Sequence, residues 1–201
     1  GLNTSLLGAL NIKYISYQPG LNIPGLQQVF SGNAGAVYKN EKLLPKAFFV
    51  DSLVVANSAQ EAYNFVDRPN VDYSKVAVVE TSEQITTSAD SLSSVEVTNY
   101  TGPEISLTIN RTKPGFLVLS EIYYPAGWIA KLNGNEIPIY KTNYVLRGFE
   151  IPAGEHTLEL EFRPKSYSLG VTLGWISLAI QGLLALAFGF TFYRRKTSIE
   201  A

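Results

Sequence analysis

From Ser166 to Tyr193 the chain runs for 28 consecutive residues without Asp, Glu, Lys, Arg or His. A bilayer core about 30 Å thick is crossed by about 20 apolar residues in helical form, so Leu169–Tyr193 is long enough to span it with some tilt. The stretch is too long, and at the wrong end of the chain, for a signal peptide. Arg194, Arg195 and Lys196 follow directly, and Phe192 and Tyr193 sit at the boundary where amphipathic rings favour the headgroup level. Basic residues collect on the cytoplasmic side of a membrane. The expectation is therefore a transmembrane helix over 169–193, a cytoplasmic tail over 194–201, and residues 1–168 outside the cytoplasm. Arg163 and Lys165 on the other flank reduce the charge asymmetry.

The span carries a pattern of its own. Gly170, Gly174, Ser177, Gln181, Ala185 and Gly189 follow one another at spacings of 4, 3, 4, 4 and 4. Those spacings put them on one helix face, with Leu173, Ile176, Ile180, Leu183 and Leu184 largely elsewhere. Small residues let helix backbones approach, and a mid-membrane amide such as Gln181 is useful across a helix–helix contact. The expected partners are membrane lipid and other transmembrane helices, of a longer chain or of another protein. The 201 residues contain no methionine, so the chain does not begin at its own initiator and is read as a piece of a longer or processed protein.

Ahead of the span, 46% hydrophobic content with a net charge of −1 excludes a disordered chain. It offers no basic excess for nucleic acid. The texture is mostly strand. His156, Leu158, Leu160 and Phe162 alternate with Thr157, Glu159, Glu161 and Arg163, the period of a half-buried strand. Asn133-Gly134 between Ile129–Leu132 and Glu136–Ile139 is a hairpin signal, since both residues tolerate positive φ. Further strands are expected at Val95–Tyr100, Glu104–Asn110, Gly115–Tyr123 and Leu146–Ile151, the last closed by the turn Pro152-Ala153-Gly154-Glu155. So many short strands over 95–165 predict an antiparallel β-sandwich, jelly-roll-like or immunoglobulin-like. The first 81 residues read as a small α/β segment. Leu6, Leu7 and Leu10 suggest a helical turn, and Asn11–Tyr17, Ala36–Lys39, Ala47–Val55 and Lys75–Val79 read as extended. A capping box at Ser58-Ala59-Gln60-Glu61 opens a short helix toward Val66. A Ser/Thr-rich link over 81–94 joins the two parts. The fold class is thus mainly β, with one transmembrane helix following.

No catalytic constellation is present. His156 is the one histidine, placed at a strand edge, and no G-x-S-x-G motif accompanies it. With no cysteine, no HExxH and no EF-hand spacing, no metal site is expected; no phosphate-cradling loop or cofactor motif appears. The remaining feature is aromatic. Tyr123, Tyr124, Trp128, Tyr140 and Tyr144 cluster around the hairpin. If exposed, Tyr124, Trp128, Tyr140 and Tyr144 would offer ring faces to a glycan; strands also favour aromatics for core packing.

Tyr124-Pro125-Ala126-Gly127-Trp128, then Leu132 to Tyr140, Asn143 to Phe149 and Ile151 to Ser166 leading into a final span, resemble the C-terminal region of the YfhO family of bacterial membrane proteins. Leu7 to Ile15, Val37 to Glu41 and Leu44 to Phe48 resemble that family's preceding segments, with Lys46 where Arg is usual and Ala126 inserted into Tyr-Pro-Gly-Trp. The resemblance implies a large polytopic protein of the bacterial cytoplasmic membrane, similar to GT-C glycosyltransferases that move sugars from polyprenyl-phosphate carriers to cell-envelope acceptors. Their catalytic acid lies in an early outer loop, so no catalytic residue is carried over. The expected role is an extracytoplasmic C-terminal module plus last span, meeting polyprenyl-linked sugar or envelope glycan. The competing expectation is a non-catalytic, membrane-anchored sandwich that binds glycan or protein.

Overall fold

A computed structural model describes residues 2–199, with side chains described as far as Phe190. The chain forms two compact units that separate after Phe162, and each is described by itself.

In the first unit, Asn3 opens helix α1 (Thr4–Ala9), its Oδ1 accepting from the N–H groups of Ser5 and Leu6, both at 3.1 Å. Strands β1 (Tyr14–Tyr17), β2 (Leu26–Gly32) and β3 (Gly35–Asn40) form a small antiparallel sheet in the order β1-β3-β2. Then come β4 (Ala47–Val50), β5 (Ser52–Ala56), helix α2 (Ala59–Val66) and β6 (Val76–Glu80). The capping box acts as expected at one end: Ser58 Oγ accepts from Glu61 N at 3.2 Å. Its other half reaches one residue further back than usual, Glu61 Oε2 accepting from Asn57 N at 2.8 Å.

The remaining strands are β7 (Ser94–Tyr100), β8 (Glu104–Arg111), β9 (Gly115–Ile122), β10 (Trp128–Leu132), β11 (Asn135–Ile137), β12 (Tyr140–Thr142), β13 (Leu146–Ile151) and β14 (Gly154–Phe162). One sheet has the order β11-β10-β14-β8-β7 and is antiparallel throughout. The other has the order β4-β9-β13-β12-β6-β5, in which only β5 and β6 run parallel. A parallel pair needs a crossover, and α2 supplies it.

Two apolar layers follow. Ile105, Leu107 and Ile109 of β8 with Leu158 and Leu160 of β14 pack against Leu117, Leu119, Phe149 and Ile151 from the six-stranded sheet. Phe116, Val118 and Val78 point the other way, onto Ala9 of α1 and Ala62, Phe65 and Val66 of α2. β9 lies between both layers, so Gly115 to Ser120 are all buried. β8 and β14 have one wet face and alternate, as the sequence pattern predicts.

The mainly β fold with antiparallel sheets, a small N-terminal α/β part and a C-terminal apolar helix is as expected. The segment before residue 81 nevertheless shares its sheet and core with later strands, because β4, β5 and β6 complete the six-stranded sheet. Ala47–Val55, expected as one strand, is two, broken at Asp51. β4 and β5 form the two edges of that sheet although one residue separates them. Two residue steps reach at most about 7 Å, so the sheet curls until its edges meet at this corner. The 81–94 link has no regular structure but is stapled: Thr87 Oγ1 donates to Val50 O at 2.8 Å and accepts from Phe116 N at 3.1 Å. Asp90 accepts from Thr112 N at 2.8 Å.

The second unit is helix α3 (Lys165–Ile199). Over Lys165–Phe190 its mean hydropathy is 1.9 and none of it is buried. Among the described residues it is the one helix long and apolar enough to cross a membrane. A helix that is apolar all round suits a nonpolar solvent. The side chains of Phe192, Tyr193 and the basic cluster 194–196 lie outside the described residues, as does the end of the expected 194–201 tail.

Candidate functional site

The four aromatic candidates divide into two pairs. Trp128 opens β10 directly opposite Phe162 of β14, and their ring centroids are 5.3 Å apart. Tyr124 lies on the preceding loop, more than half exposed, its ring 6.3 Å from Phe162. With Tyr123, Glu136 and Pro138 these two line a groove of about 220 Å³. That is below the roughly 300–1,000 Å³ that encloses a drug-sized ligand, and fits a single ring. Tyr140 and Tyr144 are elsewhere. After Pro138 the chain crosses to the six-stranded sheet, where Tyr140 is buried and its hydroxyl donates to Glu83 at 2.9 Å. Its faces are covered by the core, so the expectation of a ligand-facing ring does not hold for Tyr140. Tyr144 sits in the β12–β13 turn at φ 69°, packed edge-on to Tyr63 at 5.6 Å, with Lys141 Nζ 4.6 Å from its ring centroid.

Beside the groove lies a charged cluster that pattern reading missed. Arg147 of β13 is buried, its guanidinium 4.0 Å from the Trp128 ring centroid and its Nε donating to Ile122 O at 3.1 Å. Its Nη1 is buried without a hydrogen-bond partner. Burial pulls the Arg147 pKa down, opposed by the negative charge of Glu121. Glu121 accepts from the Tyr100 hydroxyl at 2.5 Å and pairs with Lys46 Nζ at 2.5 Å. Desolvation pushes the Glu121 carboxyl up, but the Lys46 and Tyr100 hydrogen bonds overcome it and leave the pKa below its ordinary value. The bond to Glu121, with burial adding to it, pushes the Tyr100 phenol up. In the sequence, Arg147 and Glu121 interrupt apolar strands, which was the one available signal.

His156 does structural work. Asn133 Oδ1 accepts from Thr157 N at 2.9 Å, which sets that amide so that its Nδ2 donates to His156 Nδ1, also at 2.9 Å. The proton then belongs on Nε2, which faces Ala153 O at 3.3 Å. One ring nitrogen thus holds the Asn133-Gly134 hairpin, whose φ values of 50° and 84° match the expected turn, and the other holds the β13–β14 turn at Ala153. Among the described residues no group of three or more His, Cys, Asp or Glu could hold a metal. In a larger hollow of about 570 Å³ beside α1, Asn3 and Asp72 are already committed to local bonds. Asn3 caps the helix, and Asp72 accepts from Ser74 N at 3.1 Å and Ser74 Oγ at 2.6 Å.

On α3, Ser177 and Gln181 do share a face, the Gln181 amide donating to Ser177 Oγ at 3.1 Å. Gly170, Gly174 and Gly189 open onto free space, and Ala185 is exposed.

A β-rich body followed by one helix able to cross a bilayer has the build of a membrane protein that carries an antiparallel β domain. The chain belongs to the YfhO family: a family model described as bacterial membrane protein YfhO matches residues 69–174, just over half of the 201 residues. The match runs from the loop before β6 into the first turns of α3, and the resembling segments between Leu7 and Phe48 lie outside it. No curated protein and no solved structure matches the chain.

Proposed function

We propose that this chain is the extracytoplasmic C-terminal module and last span of a bacterial cytoplasmic-membrane protein that transfers sugar from a polyprenyl-phosphate carrier to a cell-envelope acceptor. In this reading the module guides the acceptor glycan, one sugar ring resting on Tyr124 and Trp128. The supporting observation is the groove itself, where an exposed tyrosine and a half-buried tryptophan meet beside Glu136. Rings offer apolar faces to a sugar, and a carboxylate accepts from its hydroxyls. Gly170, Gly174, Ser177, Gln181, Ala185 and Gly189 would form the seam against the protein's other membrane helices.

The test is complementation of envelope glycosylation by the whole YfhO-family protein, compared with a version lacking these residues and with Tyr124→Ala. Loss of sugar with the deletion, and a partial loss with Tyr124→Ala at normal protein level, is the expected result. Unchanged glycan composition in both would refute the proposal.

A further inference from the structure

The two ends of the sandwich differ. At one end β7 turns into β8, β9 closes, β10 begins and β14 closes. Phe162 N donates to Pro103 O at 2.8 Å, Trp128 pairs with Phe162, and Arg147 Nε donates to Ile122 O. These bonds gather Tyr100, Ile122 and Tyr124, which are 55%, 60% and 55% exposed. At the other end Gly154 pairs with Arg111, and Ser94 with Asn110. The nine residues of β14 at about 3.4 Å each separate the ends by roughly 27 Å.

The aromatic end is also where the chain leaves the body. After Phe162 come Arg163 and Pro164, and Lys165 begins the apolar helix. Three residue steps reach at most about 11 Å, so this tether keeps the aromatic end close to the start of α3 whatever the angle between the units. Tyrosine rings are favoured at membrane–water boundaries because one end is apolar and the other hydrogen-bonds. Exposed Ile122 gains only by leaving water. Glu121, at the same end, is already matched by Lys46 and the Tyr100 hydroxyl, which lowers the cost of moving it toward a less polar medium. Glu104 opens β8 at this end and is exposed, which suits zwitterionic headgroups better than anionic ones.

We infer that this end of the body is a lipid-facing surface: Tyr100 and Ile122 seat in the headgroup–acyl boundary of the bilayer that α3 crosses, and Tyr124 stands beside them at headgroup level, where its ring still fronts the sugar groove. The inference rests on reading α3 as a span, and the experiment separates the two. The chain has no cysteine, so single cysteines can be labelled without background. Ile122→Cys and Tyr124→Cys report the aromatic end, Leu92→Cys (just before β7) the far end, and Leu178→Cys the middle of the helix; all four positions are exposed. Each full chain carries an environment-sensitive fluorophore and is reconstituted in phosphatidylcholine vesicles, with and without bromine on the acyl chains near the headgroup or at mid-depth.

The 122 and 124 labels are expected to shift to the blue and be quenched by shallow bromines, losing at least half as large a fraction of emission as the 178 label loses to deep ones. The 92 label stays unquenched. If 178 is quenched while 122 and 124 behave like 92, the lipid-facing surface is overturned and the span stands. If 178 is not quenched, the span itself fails and takes the surface with it. A blue shift at 122 and 124 without bromine quenching would show protein, not lipid, covering this end, and would also overturn the inference.

Discussion

Gly148→Ala tests the packing between β9 and β13. Gly148 is buried in β13, paired with Val118 on one side and Tyr140 on the other, and its backbone is outside the left-handed region. An added Cβ would meet Phe116 Cζ and Thr142 Oγ1, both closer than 3.0 Å, where ordinary contact is 3.4–4 Å. The Phe116 ring would have to withdraw by about 1 Å, yet it is fully buried, with the Tyr140 ring centroid at 6.1 Å. Overpacking costs about 1–3 kcal/mol. With Phe116 fully enclosed, the upper end applies, less up to about 1 kcal/mol from the reduced entropy of the unfolded alanine chain. The net is about 2–3 kcal/mol, or a fall in Tm of about 4–12 °C for a domain of this size. The assay is loss of the β circular-dichroism signal on heating in detergent. Phe116→Leu removes the clashing ring atom, so the double variant should recover about 1 kcal/mol or more relative to the sum of the singles. Gly148→Ala within about 0.5 kcal/mol of wild type, or strict additivity with Phe116→Leu, would refute this account of the interface.

Glu121 has a depressed pKa in the folded state, so its stabilising contribution is present above the unfolded carboxyl value and is lost as pH falls through the folded one. Urea midpoints for Glu121→Gln should therefore fall less than wild type on acidification across that window; parallel pH curves would contradict it. Asn143, at φ 47°, accepts from buried Val78 N at 3.0 Å. Asn143→Ala leaves that N–H unpaired, at about 1–3 kcal/mol, and forces alanine into a left-handed turn. Asn143→Gly should be milder by about 1 kcal/mol in denaturant melts. Along α3, Gly174→Leu with Gly189→Leu should weaken packing against the protein's other membrane helices, read by energy transfer between a label on α3 and a label on those helices in the whole protein in vesicles. Unchanged transfer would remove the proposed seam.

Local chemistry made much of this molecule legible. Alternation marks β8 and β14 because each has one wet face, and Asn133-Gly134 marks a hairpin because its two residues accept positive φ. Strand β2 escaped because nearly all of its residues are exposed, so no apolar period exists to read. The Asn143-Tyr144 turn escaped because a tyrosine at φ 69° is held by contacts with Tyr63 and Lys141 from α2 and β12, not by local preference. The site shows the same division. Tyr124, Trp128, Tyr140 and Tyr144 are neighbours in sequence, yet the crossing after Pro138 puts two beside a groove and sends the others to a different sheet. Arg147 reaches Trp128 only because β13 and β10 belong to facing sheets.

Sequence alone determined what depends on near neighbours or on the medium: which segments extend, where they turn, and that one uncharged stretch suits lipid. Tertiary structure alone decided which strands share a sheet, that β4 and β5 close it at Asp51, and which rings reach water. Those outcomes are set by pairing between residues far apart in the chain, and no local period or turn preference encodes that choice.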